Sequence, residues 1–330
     1  MSNYSKIYQF LHDLVLKNKI INKTLFEIEK ILFLKKNIKI QNKSHIFITG
    51  MPRSGTTSLL NFLYLSGQYG SLVYRNLPFI LSPNFSKFFI RKNIPIKKKE
   101  RFHNDGIVFD IDSPEALDEI FFNNSKEYIK KELINYLLLI LTASDKKKYL
   151  SKNNLNYKRI NLIQNILPNS FFLISIRDPL QTARSLLVQH LHFSKLQKKN
   201  DFIRRYMKYL GHNEFGLDHI PWNKPKNFHD LNDINYWLEQ WFLFYSDIYK
   251  KYRFYNNCLF IIYEKLTNRN YMVSILNKIN CNKNEKLNFN FFKNFNNLEM
   301  KLKFSKNIYD KANYVYNKFK NEIKYNDQDN

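Results

Sequence analysis

Between Gly50 and Ser58 the chain reads GMPRSGTTS, with its glycines in the order G-x-x-x-x-G-T-T. This is the spacing of a loop that wraps a phosphate, with Thr56 where a lysine ordinarily follows the second glycine. Backbone N–H groups in such a loop, and the N-terminus of the helix behind it, favour an anion. The cation has moved to Arg53 inside the loop, where a guanidinium forks onto terminal oxygens. Pro52, Ser54, Gly55 and Thr56 belong to the same cradle, and Thr57 and Ser58 add hydroxyl donors. A second set stands at SIRDPLQTARSL, residues 175–186. Arg177 leaves an apolar run, Asp178–Pro179 turns the chain, and Ser185 lies eight residues beyond Arg177.

Both sets require a strand, a tight loop and a helix in that order. Ile46–Thr49 reads as a short buried strand and Thr56–Ser66 as a helix closed near Gly67. Phe171–Ile176 (FFLISI) is the continuous apolar run of a strand buried on both faces, with a helix over Pro179–His192 behind it. Further strands are expected at Gly70–Tyr74, ending over Lys148–Ser151, and at Leu259–Tyr263. Helices are expected within 4–35, from Ser113–Pro114, and over Glu127–Leu141, Leu155–Leu167, 231–253 and 306–323. The polar tail beyond is expected to fray. Strands alternating with helices imply an α/β fold, a parallel sheet of phosphate-loop type flanked by helices. The loop after its first strand then lies at the carboxyl edge, where ligands bind. No composition shift marks a domain boundary. The chain therefore reads as one globular unit: packing helices over 1–43, an α/β domain with helical insertions over 44–270, and a helical segment over 271–330.

Composition narrows the classes. An apolar content of 44%, with 29 Phe and 22 Tyr among 330 residues, excludes a disordered chain. Cys258 and Cys281 are too few for a disulfide framework, and no Cys/His set has zinc spacing. A reduced compartment fits, and no metal is expected. The net charge of +25 invites a polyanionic partner. Yet the lysines are scattered, with short runs only at Lys97–Lys99 and Lys146–Lys148. The enriched residues, Lys, Asn, Ile, Phe and Tyr, also share A/T-rich codons. The charge is therefore read as compositional, with no dedicated nucleic-acid partner. Charges interrupt residues 1–20, so no signal peptide is seen, and no apolar run approaches a transmembrane segment. A cytoplasmic protein is the default.

PRSGTT at 52–57 behind a buried strand, followed by Arg177 and Ser185 at their spacing, resembles the sulfotransferase family. Its members use 3′-phosphoadenosine-5′-phosphosulfate (PAPS). The resemblance implies that the loop takes the 5′-phosphosulfate and that Arg177 and Ser185 take the 3′-phosphate. YLSKNN (149–154) looks like the family's lysine-bearing strand, which sets Lys152 at the bridging or transferred oxygens. FIIYEKL (260–266) resembles a late strand of mainly structural role. YRNLPFIL (74–81), HNDGIVFDIDSPEALDEIFF (103–122) and GHNEFGLDHIPW (211–222) resemble stretches of a bacterial sulfotransferase-like group. The resemblance spans about residues 44–267. It implies sulfuryl transfer to a hydroxyl or amine of a glycan, lipid or small metabolite, releasing 3′,5′-adenosine bisphosphate. Arg53 and Lys152 would stabilise the leaving group.

The general base departs from the family pattern. Cytosolic sulfotransferases carry a histidine two residues after the strand lysine, where this chain has Asn154. Tyrosine-sulfating relatives use a glutamate just after the second strand, a neighbourhood that here reads Val73-Tyr74-Arg75. The expected candidates precede the SPEAL helix: His103, whose ordinary pKa suits the task, and Asp105, as base or as the group orienting His103. Glu115 ranks below them, since a helix start explains it. Asp110 and Asp112 alternate with Phe109 and Ile111 as on a half-exposed strand. Lys301, Lys303 and Lys306 are substitutes for a missing C-terminal basic loop. His190 and His192 read as acceptor-site residues or as favourable groups at a helix C-terminus. Trp237 and Trp241, four apart, read as core. Phe228 to Trp241 is a candidate acceptor lining. Two rivals stand beside the sulfotransferase reading. A P-loop kinase using ATP and magnesium conflicts with Thr56 and with the Arg177/Ser185 pair. A non-catalytic anion-binding module on the same fold would explain the missing bases.

Overall fold

A computed structural model describes residues 6–35, 39–89, 99–100, 106–124, 129–282, 287–292 and 303–328. Two amphipathic helices, α1 (Lys6–Lys17) and α2 (Lys19–Phe33), open the chain, with Asn18 capping α2 through the N–H groups of Ile20 and Ile21. Then come β1 (Ile46–Thr49), α3 (Thr56–Leu65), β2 (Tyr69–Gly70) and α4 (Ser86–Phe89). The short antiparallel pair β3 (Lys99–Glu100) and β4 (Val108–Phe109) precedes α5 (Glu119–Asn124) and α6 (Ile129–Ser144). The second half contains β5 (Lys148–Lys152), α7 (Ile160–Ile166), β6 (Phe171–Ile176) and the long α8 (Pro179–Lys199). It closes with α9 (Asp201–Leu210), α10 (Ile234–Tyr252), β7 (Cys258–Ile262), α11 (Arg269–Lys278) and α12 (Lys306–Gln328).

The sheet order is β2-β5-β1-β6-β7, and every pair in it is parallel. β1 lies between β5 and β6, with Ile48 opposite both Lys152 and Leu173. All four β1 residues are buried, as are the last five of β6, which is why both read as unbroken apolar runs. Helices α3 and α6 pack against β5, and α12 packs against β7, α8 and α10. The core is continuous from Leu16 to Phe319. Trp237 and Trp241 are both fully buried in it, and their Nε1–H groups donate to Leu231 O and Arg177 O. His45 ties β1 to β5 at the opposite edge from the loop: Nε2 pairs with Ile40 O, and Nδ1 accepts the Tyr149 N–H. Burial holds this imidazole neutral, with its pKa lowered to about 4.

Several expectations change. The second strand ends at Gly70, because the backbone beyond it leaves β5 and pairs with residues 111–115. Tyr74 N donates to Ser113 O, Arg75 N to Ile111 O and Glu115 N to Leu72 O. That pairing keeps Ser113–Pro114 extended, so the helix starts only at Glu119. Asp110 and Asp112 form a turn in which Asp110 Oδ1 accepts the Asp112 N–H and the Ser113 hydroxyl. The 155–167 segment divides into a 3₁₀ turn over Asn156–Arg159 and then α7. Helix α8 continues past His192 to Lys199, so His190 and His192 sit within it and not at its C-terminus.

Candidate active site

Parallel strands direct their carboxyl ends to one edge. There β1 supplies the 50–55 loop, β5 ends in the half-buried Lys152, β6 passes into Arg177 and β7 into Tyr263. Gly50 has φ +138°, and a Cβ on it would lie 2.5 Å from Ser175 O, so the loop crosses the end of β6 only as glycine. Gly55 has φ +91°, and its Cβ would lie 2.1 Å from the Tyr263 ring. As N-cap of α3 it brings no side-chain hydrogen bond, which suits a helix end built to receive an anion.

Arg53 adopts φ +70°, the left-handed region that non-glycine residues seldom occupy outside functional loops. Its Nε donates to Ser185 Oγ at 2.9 Å. Arg177 Nη1 donates to Arg53 O at 3.3 Å, and its guanidinium lies 5.1 Å from the Tyr263 ring centroid. The loop arginine and the distant arginine–serine pair therefore form one cluster. Around it, Ser54 Oγ donates to Met51 O, and Ser175 Oγ donates to Ser54 O. Tyr245 on α10 donates to Ser175 O at 2.7 Å and accepts the Met51 N–H at 3.1 Å, pinning the loop to β6. Tyr245 is a positioning residue that sequence reasoning missed; its only signal was membership of an aromatic helix. Asp178 caps α8 by accepting the Gln181 N–H, and its own N–H donates to Glu264, which also accepts the Tyr316 hydroxyl.

The edge beyond β5 is different in character. Asp118, 3% exposed, accepts hydrogen bonds from Ser151 Oγ and from Asn153 Nδ2, and burial raises its pKa. Glu119 takes Arg159 Nη2 at 2.7 Å on both oxygens and Asn153 Nδ2 at 2.8 Å. Asn154 follows two residues after Lys152. Its carbonyl accepts the Thr49 hydroxyl, its Nδ2 donates to Glu214 Oε1 at 2.9 Å, and its buried Oδ1 has no partner among the described residues. Glu214 arrives on the loop that follows α9. Gly211, at φ +73°, ends α9 in the left-handed conformation, and a Cβ there would lie 2.7 Å from Glu119 Cγ. A cavity of about 230 Å³ opens here, lined by Glu119, Asn154, Leu155, His212, Glu214 and Trp222 among others.

The proposed bases fare unevenly. His103 and Asp105 lie outside the described residues, as does Lys301. Glu115 is not at a helix start: its Oε2 accepts the Tyr74 hydroxyl at 2.6 Å and its Oε1 the Ala116 N–H. Asp112 is paired with Arg75. Lys306 opens α12, and Lys303 lies three residues before it. His190 Nδ1 accepts the Gly216 N–H, and its ring packs on Trp237 and His219, so it braces the 211–222 loop. The cavity is lined by residues 116–222 and not by the Phe228–Trp241 stretch.

Sheet order, loop and edge cluster together define a parallel α/β protein whose glycine loop and two arginines gather at the end of its central strand. Residues 45–231 match the model of the sulfotransferase family, and the chain belongs to that family. No curated protein matches it. Among solved structures it is similar to sulfotransferase STF1 from Mycobacterium tuberculosis H37Rv, at 10% identity and a TM-score of 0.49, over 82% of this chain and 76% of that one. It is also similar to sulfotransferase STF9 from Mycobacterium avium, at 11% identity and a TM-score of 0.44, over 82% and 72%. No helix among the described residues is long and apolar enough to cross a membrane.

Proposed function

We propose that the chain transfers a sulfuryl group from PAPS, its donor substrate, to a hydroxyl or amine acceptor. The observation that carries this reading is the contact of Arg53 with Ser185 and of Arg177 with the Arg53 carbonyl. It brings the loop arginine together with the pair at the end of β6, which supports a donor with phosphates on both 5′ and 3′ positions. The uncapped start of α3 and the side chains of Arg53, Thr57 and Ser58 would hold the 5′ end, and Arg177 and Ser185 the 3′-phosphate. The donor supplies an activated sulfuryl group on a phosphate leaving group. Arg53 and Lys152 offset the charge that grows on that phosphate.

The test is thermal stabilisation by 3′,5′-adenosine bisphosphate, against AMP and against ATP with magnesium. At a hundred times its dissociation constant the bisphosphate adds about 2.7 kcal/mol. Arg177→Ala removes that increment. Stabilisation by ATP with magnesium alone would make the loop a kinase loop and overturn the reading.

A further inference from the structure

We propose that the cavity beside Asn154 is the acceptor site and that Glu214 takes the proton from the acceptor's hydroxyl. The inference rests on the sulfuryl-transfer reading above. Three observations lead to it.

The first is position. Asn154 stands two residues beyond Lys152, and its carbonyl is bonded to Thr49, the residue before Gly50. The cavity therefore adjoins the end of the loop that receives the donor. The second is an unanswered polar group. Asn154 is 6% exposed, and its Oδ1 is buried without a partner among the described residues. A buried acceptor left without a donor is costly, so the site calls for a donor such as a hydroxyl. Glu214 is half-buried, and among the described residues only its Oε1 is hydrogen-bonded. Glu214 lines the cavity, so we assign Oε2 to the acceptor there.

The third is rigidity. The loop carrying Glu214 is braced by Gly216 N on His190, Leu217 N on Gln197 and Ile220 N on Asn213 O. A carboxylate held this way is pre-organised for its task. The other titratable groups of the cavity are differently engaged. Glu119 is bonded to Arg159 and Asn153, His212 Nε2 pairs with Ala116 O, and Lys158 is exposed.

The walls define the acceptor class. Ala116, Leu155 and Trp222 are apolar, and the exposed Ile220 and Pro221 stand at the rim. A volume of about 230 Å³ equals the share of roughly seven or eight waters, enough for one substituted ring. The carboxylate repels an acceptor that is itself anionic at the reacting end. The ligand is thus a neutral alcohol or phenol on a small, partly apolar body. In the step, the acceptor O–H gives its proton to Glu214, and the oxygen's electron pair bonds to sulfur. The bond from sulfur to the 5′-phosphate oxygen breaks, and its electron pair leaves on that phosphate. The products are a sulfate ester, 3′,5′-adenosine bisphosphate and protonated Glu214.

The experiment uses the full chain with saturating 3′,5′-adenosine bisphosphate and 4-nitrophenol as probe, because its neutral and ionised forms absorb differently. The wild type is expected to bind the probe and keep it neutral at a pH where the free phenol is ionised, since a bound phenolate would face Glu214. Glu214→Gln preserves the oxygen that Asn154 needs and keeps bisphosphate stabilisation. It lowers the apparent pKa of the bound probe by on the order of one pH unit or more, so more of the probe is ionised. Ile220→Glu, on the exposed rim, weakens binding of the neutral probe about tenfold by replacing apolar wall with a hydrated charge. Absence of probe binding, or identical ionisation in wild type and Glu214→Gln, overturns the inference while bisphosphate stabilisation persists. Loss of bisphosphate stabilisation in the wild type overturns the sulfuryl-transfer reading instead.

Discussion

The two halves of the carboxyl edge solve different problems. On the β1–β6 side, Arg53 and Arg177 meet the Ser185 hydroxyl, with Asp178 and Glu264 next to them. On the β5 side, Asp118, Glu119 and Glu214 meet Ser151, Asn153, Asn154 and Arg159 in a mostly buried polar network. The first arrangement draws two guanidiniums and a hydroxyl to one point of the edge. The second is largely satisfied within the protein and fixes the shape of a cavity. Binding of 3′,5′-adenosine bisphosphate should therefore depend on the first side, and fold stability on the second.

The largest effect should come from breaking the satisfied side. Glu119→Ala leaves Arg159, whose side chain is 15% exposed, without its carboxylate. Removing one partner of such a pair costs about 3–5 kcal/mol. Denaturant unfolding should show this loss, while the increment from 3′,5′-adenosine bisphosphate stays unchanged in whatever fraction remains folded. A normal stability would show that the network is peripheral and would dissolve the contrast.

A pH experiment sharpens the same contrast. His219, on the cavity loop, is held neutral by burial, with the nearby His190 adding to the effect, and its pKa is lowered to about 4. The unfolded chain binds a proton at this site below its ordinary value of 6.5, whereas the folded chain binds it only near 4. Stability from this group is therefore present above pH 6.5 and is lost as the pH falls through 4. Relative to His219→Gln, the wild type should gain up to about 3 kcal/mol between pH 4 and 6.5. A difference that does not vary with pH would mean that the imidazole is solvated.

How much of this was legible follows the same division. The loop and the Arg177–Ser185 pair are each contained in about a dozen consecutive residues, and the strand–loop–helix order around them is local. Periodicity and glycine spacing suffice to read such a unit. The cavity is assembled from 116–119, 153–158 and 211–222, which are joined only by the fold. Nothing in the stretch GHNEFGLDHIPW says that it will fold over the end of β5. Gly211 as a helix stop was the one local signal. Glu115 was misplaced for a related reason. Its Ser-Pro-Glu context is that of a helix start, but pairing with residues 72–75 overrode the local preference. Helix α8 ran past its expected end because no glycine or proline follows His192 until Gly211.

The finest test concerns strain on the ligand side. Arg53 is held at φ +70°, where an L side chain is disfavoured by about 1–2 kcal/mol. Its hydrogen bond to Ser185 returns only about 1 kcal/mol. Arg53→Gly relieves the backbone and loses the side chain, whereas Arg53→Ala loses the side chain and keeps the strain. The glycine variant should therefore unfold at higher denaturant than the alanine variant, by about 1 kcal/mol, and lie close to the wild type. Both should lose most of the bisphosphate increment. If alanine is as stable as glycine, the left-handed loop is not strained, and the contrast rests on charge alone. If glycine is the more stable and neither variant binds, the loop gives up stability to aim one guanidinium, which nothing on the β5 side has to do.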